Sequence, residues 1–233
     1  MKNHVIIYDD ACPMCQAYTR GFVAAGILPE DGREKFSEAT PALLADLDLQ
    51  RARHEIPLYN RLTGKTIYGY EALFALLTEW HPIFKPLFAF APFRGFIYYL
   101  YQLITYNRRV IAGSVSPQLG VNGFNCAPDF HYNYRLLYVF LAFATAFLIN
   151  RVSFLPVFGL GLLVMVPYWF STLQKNVTYL GHFATVALLA QLLGLLLGFL
   201  PFLGVNSSFY LEIGLFVLLL GHRVWVMSKN EVI

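Results

Sequence analysis

The chain has 233 residues, a net charge of +3, 57 % hydrophobic side chains and 13 % charged ones. An ordinary soluble domain carries about 25 % charged residues, so this composition excludes a wholly water-soluble protein. The small net charge, without a basic cluster, excludes a nucleic-acid binder. The charge is also unevenly spread: from Leu136 to His222 the only charged side chains are Arg151, Lys175 and Glu212. That pattern predicts a soluble front half joined to a membrane-embedded back half.

The chain opens on a short β-type run, His4 to Tyr8, closed by Asp9 and Asp10. The run is too short for the apolar core of a secretory signal. Cys12-Pro13-Met14-Cys15 follows and leads into a helix over Cys15–Ala25, with apolar Ala17, Phe22, Val23 and Ala24. Strand, turn, Cys-x-x-Cys and helix is the arrangement of a thioredoxin-like redox site. The chemistry follows from the backbone. A helix N-terminus carries unsatisfied N–H groups and a partial positive charge, which stabilise a thiolate placed there. The thiolate is the nucleophile of disulfide exchange, and a cysteine one turn on can resolve a mixed disulfide.

The next elements alternate. A strand is expected over Glu34–Glu38, then a helix over Pro41–Leu47 with Thr40 as its N-cap and Pro41 at its first position. Ile56–Leu62 and Lys65–Tyr68 read as a hairpin across Thr63-Gly64, and Tyr70–Trp80 as a helix. The order β-α-β-α-β-β-α predicts an α/β thioredoxin-like domain, a mixed sheet with helices on both faces. Pro57 stands at the start of the third strand. In thioredoxin-like domains a proline here is cis and faces the active cysteine, X-Pro being the one bond where cis is cheap. A trans proline opening an edge strand is the other reading.

Prolines at 82, 86 and 92 break up the following segment, and Phe93–Tyr106 reads as an amphipathic helix that caps the domain or lies on a membrane surface. The predicted front domain is residues 1–112, with 113–132 as linker and 133–233 as an all-α membrane domain of about four transmembrane helices. Those spans run over Leu136–Ile149, Phe154–Phe170, Val177–Leu200 and Phe209–Met227, the second interrupted by Pro156 and Pro167. Arg108, Arg109 and Arg135 before the first span, and Arg223 and Lys229 after the last, place both termini in the cytoplasm of a bacterial inner membrane. Lys175 agrees with this orientation, and Arg151 opposes it.

Tyr8-Asp9-Asp10-Ala11-Cys12-Pro13-Met14-Cys15 resembles the signature of the DCC family of predicted thiol-disulfide oxidoreductases, named for Asp-x-x-Cys-x-x-Cys, which Asp9, Cys12 and Cys15 match. Gly64-Lys65 with Tyr68 to Leu73, and Tyr98 to Arg109 with its Tyr-Asn-Arg ending, are similar to the family's later strand and closing helix. The resemblance spans residues 4 to 112. It implies a thioredoxin-like fold and a dithiol–disulfide role. The chain departs from the family at Asp10, where members usually carry Gly. A second carboxylate beside the thiol opposes thiolate formation.

These readings make Cys12 the attacking thiol and Cys15 the resolving one. Asp9 is either a proton carrier for Cys15 or a turn carboxylate. Pro57 and Pro13 border the substrate, Pro13 giving the Cys-Pro-x-Cys form found in glutaredoxins. Expected partners are a protein or small-molecule thiol or disulfide and the lipid bilayer, with no nucleic acid, cofactor or metal. A zinc set of Cys12, Cys15, Cys126 and His131 is the metal alternative. Cys126 is either an inert loop thiol or an exchange partner of the Cys12 pair. In the back half, His182 and Glu212 are polar candidates at membrane depth, able to face each other around a quinone, metal or proton, or to make an interhelical hydrogen bond. The alternative to an enzyme is a redox-sensing or partner-binding domain that regulates a small membrane bundle or transporter.

Overall fold

A computed structural model of the chain describes residues 1–113, 126–166, 171–198 and 205–229. It divides into two compact units, Met1–Phe130 and His131–Ile233. Most of the predicted linker, with Pro167 and the extreme C-terminus, lies outside the described residues.

The front unit is built on a four-stranded sheet. Its strands are β1 (His4–Tyr8), β2 (Arg33–Lys35), β3 (Pro57–Asn60) and β4 (Thr66–Tyr68), in the order β2-β1-β3-β4. β1 runs parallel to β2 and antiparallel to β3, and β3 and β4 form an antiparallel hairpin. β1 is central and covered on both faces. Val5, Ile6 and Ile7 are buried, which explains an unbroken apolar run in place of an alternating one. Ile6 packs on one face with Ile27, Leu28, Leu58, Ala72 and Leu76. Ile7 packs on the other with Phe36, Leu44, Leu47, Tyr68 and Cys126. The hairpin turns where Asn60 Oδ1 accepts the N–H groups of Leu62 and Thr63, and Gly64 takes φ 67°, a conformation cheap for glycine.

The helices of this unit are α1 (Pro13–Ala24), α2 (Pro41–Ala45), α3 (Leu49–Ala52), α4 (Gly69–Trp80), α5 (Phe84–Ala89) and α6 (Ala91–Ala112). Thr40 and Asp48 cap α2 and α3 through their side chains, at Leu43 N and Arg51 N. Residues 126–130 belong to this unit, so its edge falls later than the composition suggested. Asp129 pairs with His54 at 3.1 Å and Arg53 at 3.7 Å.

The cis expectation for Pro57 is overturned: every peptide bond among the described residues is trans. Trans is the lower-energy isomer even before proline, and the neighbouring backbone is satisfied in that form. Ile56 N–H donates to Tyr101 Oη at 3.1 Å, and Ile56 O accepts from Gly69 N at 3.0 Å.

The described elements of the second unit are helices: α7 (Tyr132–Ile149), α8 (Arg151–Met165), α9 (Leu173–Gly198) and α10 (Val205–Lys229). Among the described residues three stretches are long and apolar enough to cross a membrane, Tyr132–Ile149, Leu173–Leu196 and Tyr210–Met227. α8 is shorter, with its apolar part limited to Ser153–Met165. At 1.5 Å per residue, α8 reaches only about 20 Å of a hydrocarbon core about 30 Å thick. Over the described residues the second predicted span is thus a short helix that runs unbroken through Pro156, and its predicted end, 167–170, lies outside them. α9 is the hub: 61 % of its span window is buried, against 22 % for α7 and 17 % for α10. Its Tyr179, Phe183, Val186, Ala187 and Ala190 form a core with Val157, Phe216 and Leu220. The outward faces of α7 and α10 stay apolar, with Leu137, Phe140, Leu148 and Leu218 exposed, as suits helices facing lipid.

Close packing sets one position strictly. A Cβ on Gly161 would lie 2.1 Å from the ring of Phe183, which is fully buried and has nowhere to move. Gly161→Ala is expected to destabilise the bundle by about 1–3 kcal/mol. Denaturation of the purified protein in mixed detergent micelles measures this, and an unchanged midpoint would refute the packing described.

Candidate functional site

The site grows from the β1–α1 junction. β1 ends at Tyr8, Asp9 and Asp10 turn the chain, and Cys12 takes an extended conformation (φ −100°, ψ 108°) as the N-cap of α1. Pro13 occupies the first helical turn, where its missing N–H costs nothing. The N-cap role that serine or aspartate usually fills falls to a sulfur: Cys15 N–H donates to Cys12 Sγ at 3.4 Å. The helix is tied to the sheet below. Thr19 Oγ1 donates to Cys15 O at 2.7 Å, and Arg33 Nε, from β2, donates to Thr19 Oγ1 at 3.0 Å.

The two thiols are electrostatically unequal. The Cys15 thiol donates to Cys12 sulfur, and this bond, with the Cys15 N–H and the charge of Arg108, brings Cys12 down to about 7 against burial and Asp9. The same thiol–thiol bond pushes Cys15 well up, and burial adds to it. Cys12 is thus the nucleophile by charge and Cys15 the proton-holding partner. Both are enclosed, at 1 % and 3 % exposure, while Pro13 between them is exposed.

Arg108 is the residue the sequence reading missed as part of the site. It lies on α6, 99 residues from Asp9, and its Nη2 donates to Asp9 Oδ2 at 3.0 Å and to the carbonyl of Cys126. Both side chains of the ion pair are nearly closed to solvent. Burial pushes the Asp9 carboxyl up, and the charge of Arg108 and a 3.1 Å bond from Ala11 N–H hold it part way back. The available signal was the pattern of α6. Gln102, Thr105, Asn107 and Arg108 stand close together in a helix, a polar cluster that is buried with Val110.

Asp10 does not act as expected. Its carboxylate is turned to Ser37, accepting from Oγ at 2.9 Å and N–H at 3.4 Å. The carboxylate that opposes the Cys12 thiolate is Asp9. Pro57 is buried at the head of β3; it is Ile56 that packs against Tyr8, Cys12 and Cys15.

Cys126 borders the same cavity as Cys15. It is 4 % exposed, and burial pushes it up. With Asp9, Cys15, Tyr18, Ile56 and Arg108 it lines a cavity of about 10 Å³, room for one water. All three cysteines are free thiols. The zinc set is not assembled: among the described residues no group of three or more His, Cys, Asp or Glu could hold a metal.

His182 and Glu212 are both buried, but apart. The Glu212 carboxylate lies against Gly194, where an added Cβ would be 2.2 Å from Oε1. Gly194 is twelve residues beyond His182 on α9, about 18 Å along the axis. Glu212 instead accepts from Asn150 Nδ2 at 3.3 and 3.4 Å. Beside it, Ser153 Oγ donates to Gln191 Oε1 at 3.0 Å. This is an interhelical hydrogen-bond cluster at one end of the bundle.

Compared with models of protein families, with curated proteins and with solved structures, the chain gives no match.

Proposed function

We propose that the protein is a membrane-anchored thiol–disulfide oxidoreductase of the DCC type, with a thioredoxin-like front unit. The observation that carries this reading is the Cys12 sulfur at the N-cap of α1, hydrogen-bonded by Cys15 and held near 7. The sheet order β2-β1-β3-β4, with a parallel β1–β2 pair and an antiparallel β3–β4 hairpin, supports the thioredoxin-like assignment.

The Cys12 thiolate attacks one sulfur of a protein or small-molecule disulfide. A Cys12–substrate bond forms, the substrate S–S bond breaks, and one substrate thiolate leaves. Cys15 then gives up its proton and attacks Cys12 sulfur, releasing the second substrate thiolate and leaving a Cys12–Cys15 disulfide. Two electrons pass from the dithiol to the substrate. Asp9 is the acceptor for the Cys15 proton: its raised carboxyl shares a one-water cavity with that thiol. Basic residues flanking the spans orient the front unit to the cytoplasm of a bacterial inner membrane, where the reductive direction prevails.

Cys15→Ser tests the reading. It should accumulate a mixed disulfide at Cys12, recoverable by mass spectrometry, while Cys12→Ser should exchange with no dithiol couple. A wild-type protein inert to every disulfide and dithiol offered would sink the proposal. The burial of both thiols favours a second reading, in which the pair is a redox sensor or partner-binding element controlling the membrane bundle. A dithiol that oxidises and reduces slowly, without turnover, while the bundle's protease sensitivity changes, is the outcome that reading expects.

A further inference from the structure

α6 changes character along its length. Its C-terminal half is enclosed, with Gln102, Thr105, Asn107, Arg108 and Val110 buried. Its N-terminal half buries no residue, and Phe96, Tyr99, Leu100 and then Ile104 are exposed at i, i+3, i+4 and i+8 spacing, which is one helix face. α5 buries none of its residues. The exposed surface continues onto the end of α4, so that Trp80, Ile83, Phe90, Phe96 and Tyr99 are each more than half exposed. A contiguous surface of this kind calls for an apolar partner.

The surface is preformed. Phe88 stacks on Phe74 with ring centroids 3.8 Å apart, and Phe84 and Phe93 extend the stack on either side at 5.6 and 6.0 Å. Along α5 and α6 its charge has one sign, and the exposed Glu79 beside Trp80 is paired with the Met1 amine. Residues 81–112 contain no Asp or Glu, and Lys85 and Arg94 stand exposed within the apolar surface. Neither makes a salt bridge among the described residues.

We infer that α5 and the N-terminal half of α6 form a second membrane contact, lying in the interface of a bilayer that carries anionic lipid. Three features select lipid over a protein partner. Exposed aromatics with tyrosine and tryptophan suit the headgroup boundary. Lys85 and Arg94, exposed and in no salt bridge among the described residues, complement an anionic surface. The candidate spans of the same chain hold a bilayer within reach, starting at Tyr132. The inference is independent of the dithiol chemistry and stands or falls separately from it.

The test uses the full chain in phosphatidylcholine–phosphatidylglycerol vesicles. Trp169→Phe with Trp225→Phe leaves Trp80 as the sole tryptophan of three. Brominated lipids with bromine near the headgroup should quench Trp80 strongly, and aqueous iodide should not. Lys85→Glu with Arg94→Glu should shift the docked population by about fivefold per charge removed, and more for reversal, with the effect fading in vesicles without phosphatidylglycerol. Quenching by iodide alone would overturn the inference. So would shielding from both quenchers, which would mean that protein covers the face, either a second copy or the chain's own spans. Carbene-generating lipids and mass spectrometry give the same reading on the unaltered chain: labels within Trp80–Ile104 support the contact, and their absence beside labelled spans refutes it.

Discussion

Cys15→Ala is expected to move Cys12 from about 7 toward the ordinary thiol value of about 8.5, because it removes the thiol donor that contributes most to the shift. The Cys15 N–H remains, so the change is partial at most. A full move would lower the thiolate fraction at pH 7 roughly fifteenfold. The alkylation rate falls less, by about threefold, since a more basic thiolate is a better nucleophile. The decisive readout is therefore the midpoint of the pH–rate profile for Cys12 alkylation, followed on its peptide by mass spectrometry. A profile unmoved by Cys15→Ala would show that the Cys15 thiol does not set Cys12, leaving the Cys15 N–H and Arg108 to do so. Cys15→Ser, which keeps a hydroxyl donor, should move it less.

The same shift appears in stability. Cys12 in the folded reduced protein titrates near 7, below the ordinary thiol value of about 8.5. Between these values the unfolded chain binds more protons, so stability rises with pH across that window and is lost as pH falls through about 7. Cys15 is shifted the other way. Above about 9 the unfolded chain loses a proton that folded Cys15 retains, and stability turns down again. Oxidation to the Cys12–Cys15 disulfide should abolish both slopes.

Arg108→Met is expected to have the largest effect on the front unit. It leaves Asp9 buried without its cation and the Cys126 carbonyl without its donor. Removing one partner of a buried pair costs about 3–5 kcal/mol. Hydrogen exchange at the β1 amides reads this locally, as an acceleration of roughly a hundred- to several-thousandfold. Cys12 should rise as well, because a stabilising charge is gone. Asp9→Asn added to Arg108→Met should recover part of the stability, as neither charge is then stranded. An Arg108→Met protein as stable as wild type would mean that the pair is solvated in solution.

The chemistry of the motif was legible because it is local. Asp9, Cys12 and Cys15 lie within two turns of chain, and a strand followed by a proline-started helix leaves the backbone few ways to arrange them. The hairpin was legible for the same reason: Asn60 and Gly64 carry the turn themselves. What sets the thiols apart was not legible. Arg108 and Cys126 reach the site from far along the chain, and a basic residue near a membrane segment reads equally well as an orientation signal. The direction of the Asp10 side chain depends on Ser37, 27 residues on. The isomer of Pro57 depends on its tertiary surroundings.

The sequence by itself determined the division into a charged front and an apolar back, the Cys-x-x-Cys at a helix start, and the alternation of strands and helices, because composition and periodicity act over a few residues at a time. Only the tertiary structure decided that Arg108 closes over Asp9, that Cys126 borders the dithiol cavity, that Glu212 meets Asn150 and Gly194 rather than His182, and that the N-terminal half of α6 is left uncovered. Each depends on which faces meet across the fold, and burial, which makes a charge or a thiol behave unlike its reference, exists only once those faces have met.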